Sequence, residues 1–196
     1  MSQFIHLDSV YRDRITYPNP ADYELTPSQV ATWFPEARDI KANPQNTNTK
    51  ALEFATDINI QLMTLPYDPA LLSFPVLYVD FHSRIYDDRF LIASIDGTQS
   101  NARFICVLDK VQNDSTGTPV WCHYKSSIRQ ALRFKRNDSV VFRVTTRNGT
   151  VLPFWIDADP ALSADPTKQS LLTLELVPYL RDGRYINHNV ETQVTT

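Results

Sequence analysis

Ser139-Val140-Val141-Phe142-Arg143-Val144-Thr145-Thr146-Arg147-Asn148-Gly149-Thr150-Val151-Leu152-Pro153-Phe154-Trp155-Ile156 is the stretch that decides the fold. Val141, Arg143 and Thr145 alternate with Val140, Phe142 and Val144, the two-residue period of a half-buried strand. Asn148-Gly149 supplies the positive φ values of a type I′ turn, and Val151 to Ile156 returns from it. The reading is an antiparallel β-hairpin.

Working outward, the same grammar repeats. Ile58, Ile60, Leu62 and Thr64 alternate with Asn59, Gln61 and Met63. Further β runs are expected at 76–81, 90–95, 103–111 and 120–124, with turns at Asp96-Gly97 and Asn113 to Gly117. Ile128 to Phe134 reads as a short strand or a turn of helix. A polar loop, 157–169, precedes a last strand that places Leu172, Leu174 and Leu176 on one face. That makes about eight or nine strands with no βαβ alternation, so the expected class is all-β and antiparallel. A single jelly-roll β-sandwich is one arrangement for that number, and an immunoglobulin-type sandwich competes, although its Cys…Trp…Cys order is absent. The expected core includes Leu62, Val79, Phe104, Val107, Phe142, Val144, Phe154 and Leu174.

Before these strands the chain reads differently. Residues 1–50 are expected to form an extended N-terminal arm and linker, 51–180 the β domain and 181–196 a C-terminal tail. Pro18 and Pro20 fix φ and extend the residues before them, so Tyr17-Pro18-Asn19-Pro20 is neither helix nor central strand. Tyr11, Tyr17 and Tyr23 recur every six residues and would share one side of a fully extended chain. Such an arm anchors by its aromatics on its own domain or on a neighbouring subunit, and its removal is expected to leave the β domain folded. Thr26-Pro27-Ser28-Gln29 resembles a helix start, and 41–50 is a polar linker.

Composition narrows the function. The 196 residues carry a net charge of -3, so nothing marks a dedicated nucleic-acid binder. The stretch Arg129, Arg133, Lys135 and Arg136 around Phe134 could hold an acidic partner, but a solvated loop edge is the simpler reading. With 13 prolines and 4 glycines, the chain favours rigid corners over phosphate-cradling loops. No metal, cofactor or catalytic residue is expected. His6, His82, His123 and His188 have no zinc spacing, and Asp80-Phe81-His82 reverses the order of an iron-binding triad. Asp87-Asp88 and Asp157-Ala158-Asp159 sit in turn-like segments. No G-x-S-x-G elbow or P-loop occurs, so an enzyme is not expected. Cys106 and Cys122 read as buried free thiols. No secretory signal or apolar run near ~20 residues is present, so no transmembrane segment is expected and a reducing, intracellular setting is. The sequons at Asn113, Asn137 and Asn148 then read as turns.

Asp8-Ser9, Arg12-Asp13-Arg14 and Tyr17-Pro18-Asn19-Pro20-Ala21-Asp22-Tyr23 resemble the opening of single jelly-roll capsid proteins of nucleocytoplasmic large DNA viruses. The pattern there is Asp-Ser-x-x-Arg-Asp-Arg-x-x-Tyr-Pro-Asn-Pro-x-x-(Phe/Tyr). It covers about a tenth of this chain, and Val10 departs from the Arg more usual at its position. Arg133-Phe134 through Asn148-Gly149-Thr150-Val151-Leu152 is similar to the family's penultimate hairpin. The resemblance implies a structural protein of an icosahedral capsid. Its role would be a penton protein forming homopentamers at the five-fold vertices, or a minor capsid protein cementing capsomers. It implies partners in copies of itself, in the major capsid protein and in other minor capsid proteins, and a location in virions assembled in the host cytoplasm. Asp8, Arg12, Asp13, Arg14, Tyr17, Pro18, Asn19, Pro20 and Tyr23 are then the candidate interaction residues. A ligand- or carbohydrate-binding β-sandwich is the alternative from another class.

Overall fold

The computed structural model describes residues 3–27, 29, 53–84, 92–93, 99–100, 104–135, 139–153 and 162–179. Its strands are β1 (Gln3–Asp8), β2 (Asp22–Leu25), β3 (Glu53–Pro66), β4 (Val76–Ser83), β5 (Ile92–Ala93), β6 (Gln99–Ser100), β7 (Phe104–Asn113), β8 (Pro119–Lys125), β9 (Arg129–Lys135), β10 (Val140–Thr145) and β11 (Leu171–Tyr179). Every described pairing is antiparallel.

Two four-strand layers emerge from the pairing. One runs β1-β11-β3-β9 and the other β2-β10-β4-β7, and β8 joins them by pairing with both β7 and β3. β8 and β9 act as one strand bent at Ser126, whose N–H donates to Ile60 O (3.1 Å) between the two β3 pairings. With β5–β6 set aside as a small separate hairpin, the chain changes layer at each step except from β4 to its neighbour β7, the order of two interleaved Greek keys. The chain is a single jelly roll. One apolar cluster fills it, drawing Ile5, Leu7, Ile58, Ile60 and Leu174 from one layer and Tyr23, Phe81, Phe104, Phe142 and Val144 from the other.

The core differs from expectation where the ladder is irregular. Thr173 pairs with Leu62 and Leu174 with Ile60, which leaves Gln61 as a bulge. One extra residue flips every later side chain to the other face. Met63 and Leu65 are therefore fully buried, and Leu62 is only half-buried. On β7, Phe104 and Cys106 face the core, so strict alternation turns Val107 outward, where it is 52% exposed. Val79, Phe142, Val144 and Leu174 are buried as expected; Phe154 lies outside the described residues. Arg129–Lys135 is a strand, not a turn of helix.

The largest correction concerns the N-terminus. Residues 3–25 do not lie as an arm outside the β domain, and the expected linker at 41–50 lies outside the described residues. β1 pairs with β11 along Gln3–Asp8 and β2 pairs with β10 along Asp22–Leu25. Ile5, Leu7, Ala21, Tyr23 and Leu25 are buried, and the Tyr23 ring lies 4.8 Å from that of Phe142. The domain thus begins at Gln3 rather than near residue 51. The tyrosines do not share a side either. A 3-10 turn at Ser9–Tyr11 and a turn at Asp13–Tyr17 interrupt the extended run. Tyr11 is consequently 77% exposed while Tyr23 is buried.

The two tight hairpins share one design. Gly149 N–H donates to Thr146 O (3.0 Å) and Thr146 N–H to Thr150 O (2.9 Å). Arg147 and Asn148 are thus the central pair, and Gly149 at φ 79 follows as the left-handed residue. This is a three-residue loop with a glycine bulge, not the expected type I′ turn. Gly117 N–H to Asp114 O (3.1 Å) and Asp114 N–H to Thr118 O (2.8 Å) repeat it, with Gly117 at φ 85. A Cβ at Gly149 would meet nothing within 4 Å, so substitution there costs backbone strain alone. Gly149→Val is expected to lose about 1–2 kcal/mol, and Gly149→Asn clearly less. Thermal melting of the two variants checks this; equal midpoints would remove the strain account.

Candidate functional site

All nine candidate residues lie in or beside the crossover, residues 9–21, that carries the chain from β1 to β2. Most of them hold the crossover to the domain. Asp8 Oδ1 accepts Val10 N–H (2.9 Å) and caps the 3-10 turn. Ser9 N–H donates to Ser170 O (3.0 Å), Ser170 N–H to Ser9 Oγ (2.8 Å) and Ser9 Oγ to Gln169 Oε1 (3.0 Å). Asp13 closes a turn by accepting the Thr16 hydroxyl (2.5 Å), Thr16 N–H (3.3 Å) and Ile15 N–H (3.1 Å), and these bonds, the hydroxyl's foremost, hold its carboxyl below the usual range. Asn19 accepts Ala21 N–H (2.8 Å) and donates to Leu152 O (2.6 Å), tying the crossover to the segment after β10. Ser170 Oγ donates to Pro20 O (2.6 Å).

Arg12 is the hub. Its side chain is buried, and its guanidinium donates from Nε to Tyr17 O (2.7 Å), from Nη1 to Ser9 O (2.7 Å) and Gln169 Oε1, and from Nη2 to Pro18 O (2.8 Å). The prolines explain this geometry. Pro18 and Pro20 donate no N–H, and their extended backbone turns successive carbonyls to different sides. One planar fork of donors gathers three backbone carbonyls and the Gln169 amide oxygen around a single side chain. Tyr23 packs below, and burial pushes its phenol far above the ordinary range.

A second cluster lies on the outer side of β2. Glu24 Oε2 accepts Tyr17 OH (2.8 Å) and Arg84 Nε and Nη2 (3.0 and 2.7 Å). The Arg84 hydrogen bond, helped by Ser139 and Tyr17, pulls the Glu24 carboxyl down to about 2 from 4.5. A depressed carboxylate contributes stability above its unfolded value and loses it as pH falls towards the folded one. Arg84 is 60% exposed, so solvent screens the pair. Glu24→Gln is expected to remove about 2 kcal/mol at pH 7 and to flatten stability between pH 4.5 and 2. His123 titrates in a separate window. Burial, with Lys110, lowers its pKa, so its share is lost as pH falls below 6.5. Denaturant unfolding at stepped pH measures both; an unchanged slope below pH 4.5 in the variant would dissociate Glu24 from acid stability.

The motif's large apolar side chains that face outward sit at positions its pattern leaves open. Tyr11 (77%) and Ile15 (82%) are exposed, and Arg14 Nη1 donates to the carbonyl of exposed Leu162 (2.6 Å). Among the described residues, five of the seven exposed large hydrophobics, Phe4, Tyr11, Ile15, Leu162 and Leu171, belong to β1, the crossover or chain bonded to them. Composition gave no signal for Gln169, Ser170 and Glu24 as partners, because each acts through a contact distant in sequence.

Asp80 Oδ1 and His82 Nδ1 meet at 2.7 Å on β4, and no cluster of three metal-ligating side chains occurs among the described residues. Arg129 Nη2 pairs with Glu175 Oε2 (3.0 Å); the side chains of Arg133, Lys135 and Arg136 lie outside the described residues, as do Asp87, Asp88, Asp157 and Asp159. Cys106 and Cys122 are both buried and unpaired, and burial pushes the Cys106 thiol up to about 12. No described helix is long and apolar enough to cross a membrane. No family model matches this chain, and no curated protein matches it in sequence.

Proposed function

We propose that the chain is a structural protein of a large icosahedral DNA virus capsid, foremost the penton protein assembling as a homopentamer, with a minor capsid protein cementing capsomers as the second role. The observation that carries this reading is that the segment resembling capsid openings, Asp8 to Tyr23, is the crossover that launches both layers of a jelly roll. Its specified Asp8, Ser9, Arg12 and Asn19 hold the crossover to the domain, and two of its open positions, Tyr11 and Ile15, present apolar side chains to a partner. A ring of identical subunits repeats one contact around its axis, and an exposed apolar margin on a rigid crossover suits such a contact. The partners are copies of the same chain and the neighbouring capsomers.

Two measurements test it. Sedimentation of the recombinant chain is expected to show a pentamer that Tyr11→Ser with Ile15→Ser dissociates. Quantitative mass spectrometry of particles is expected to give about sixty copies, five at each of twelve vertices. A far larger copy number favours the minor capsid role. Absence from particles overturns both roles and puts a ligand-binding β-sandwich in their place.

A further inference from the structure

Asn148-Gly149, at the tip of the hairpin after β10, is the chain's single Asn-Gly pair, and both residues are exposed to water. Such a pair carries a reaction within itself. The backbone nitrogen of Gly149 attacks Cγ of the Asn148 carboxamide when the two meet, because glycine has no Cβ to hinder the approach. The turn does not require this asparagine. The twin turn at 114–118 places Thr116 before Gly117 and makes the same two backbone hydrogen bonds. What Asn148 adds is a carboxamide held from two sides, for its Oδ1 accepts the Thr146 hydroxyl and Thr150 N–H (3.3 Å). The nucleophile is held as well, since Gly149 N–H donates to Thr146 O (3.0 Å). In a turn of this kind the second central residue keeps ψ at about 0°. That value turns Gly149 N away from the side chain of Asn148, so the closed hairpin keeps the reacting atoms apart.

We propose that Asn148 is a self-modification site, converted by water to aspartate or isoaspartate whenever the hairpin opens, with Thr146 as the latch that keeps it shut. In the open turn Gly149 N bonds to Asn148 Cγ, the nitrogen gives up its proton, and the carboxamide nitrogen leaves as ammonia. The product is a five-membered succinimide. Water then adds to one of its two carbonyls. Addition at the side-chain carbonyl restores the backbone and leaves aspartate, while addition at the backbone carbonyl routes the chain through Cγ and leaves isoaspartate. The net change is amide plus water to acid plus ammonia, with no oxidant and no second protein. Aspartate adds one negative charge and still accepts from the Thr146 hydroxyl and Thr150 N–H. Isoaspartate lengthens the loop by one backbone carbon, which breaks the Thr146–Thr150 closure. Leu152 O, two residues further on, anchors Asn19 of the crossover (2.6 Å), so the lesion loosens that tie as well. Refolding does not reverse the conversion, so the hairpin keeps a record of having opened. This inference is independent of the capsid reading.

Peptide mapping by mass spectrometry, with aspartate and isoaspartate peptides separated by chromatography, tests it on the full chain aged in warm, mildly alkaline buffer. The parent is followed folded and unfolded in urea, and Thr146→Val and Thr146→Ser are followed folded. Conversion at Asn148 is expected to run at least about tenfold faster in the unfolded parent than in the folded one. Thr146→Val, which loses the hydroxyl, is expected to convert at least about threefold faster than the folded parent, and Thr146→Ser, which keeps it, to follow the parent. Asn113, beside the twin turn, reports general loosening of the domain, and its conversion is expected to stay at the parent's rate in both variants. Equal rates at Asn148 in folded and unfolded parent overturn the gate, and no conversion in urea overturns the site. Thr146→Val at the parent's rate, or a matching rise at Asn113, overturns the latch. Should Thr146→Val fail to fold, the ratio of unfolded to folded rates in the parent alone decides.

Discussion

A chain beginning at residue 26 is expected not to fold. Removing 1–25 deletes β1 and β2, one margin of each layer, and with them Ile5, Leu7, Ala21, Tyr23 and Leu25 from the core. Full burial of each large apolar side chain contributes about 1.5–3 kcal/mol, so the loss is roughly 10 kcal/mol before any hydrogen bond is considered. A domain of this kind has about 5–15 kcal/mol in total. The cut also bares the β11 and β10 edges and strands the Gln169 and Ser170 partners of the crossover. Far-UV circular dichroism with urea unfolding is the measurement. A cooperative transition at near-native urea concentration in the shortened chain would show that the domain does start near residue 51.

That expectation reverses the one drawn from sequence, and the reason is physical. Short strands such as Asp22–Leu25 carry too few residues to display a period, and Gln3–Asp8 precedes a segment whose prolines dominate the eye. Pairing partners 167 residues apart, such as His6 and Thr173, leave no local trace. Where local chemistry governs, the reading did better: the turn after β10 was legible in place though not in type, and the Asp114 to Gly117 turn and the leucine face of β11 were legible. The core was legible in kind and wrong in parity at Leu62, because a single bulge at Gln61 reverses a pattern that is uniform in the sequence. The candidate site was legible as a cluster. Its inward direction was not, because the prolines that extend the backbone also turn its carbonyls onto one buried arginine.

That arginine sets the second large effect. Arg12→Met keeps the length of the side chain and removes the fork: Ser9 O keeps the backbone N–H of residue 12 and Gln169 Oε1 keeps the Ser9 hydroxyl, while the part-buried Tyr17 O and Pro18 O lose this donor. Loss of the charged donor at these two part-buried carbonyls costs about 1–2 kcal/mol each, a sum of about 3 kcal/mol. Arg12→Lys is expected to fall between, since one ammonium cannot reach carbonyls spread around a planar guanidinium. Urea unfolding measures both. The comparison with Tyr11→Ser and Ile15→Ser separates building the fold from making contacts. These two side chains are exposed, so their variants are expected to unfold as the parent does while losing assembly. Arg12→Met is expected to lose stability first and assembly only as a consequence. If Arg12→Met instead kept the parent's unfolding midpoint and lost only assembly, the guanidinium would belong to a partner's surface, and the inward reading of the crossover would fail.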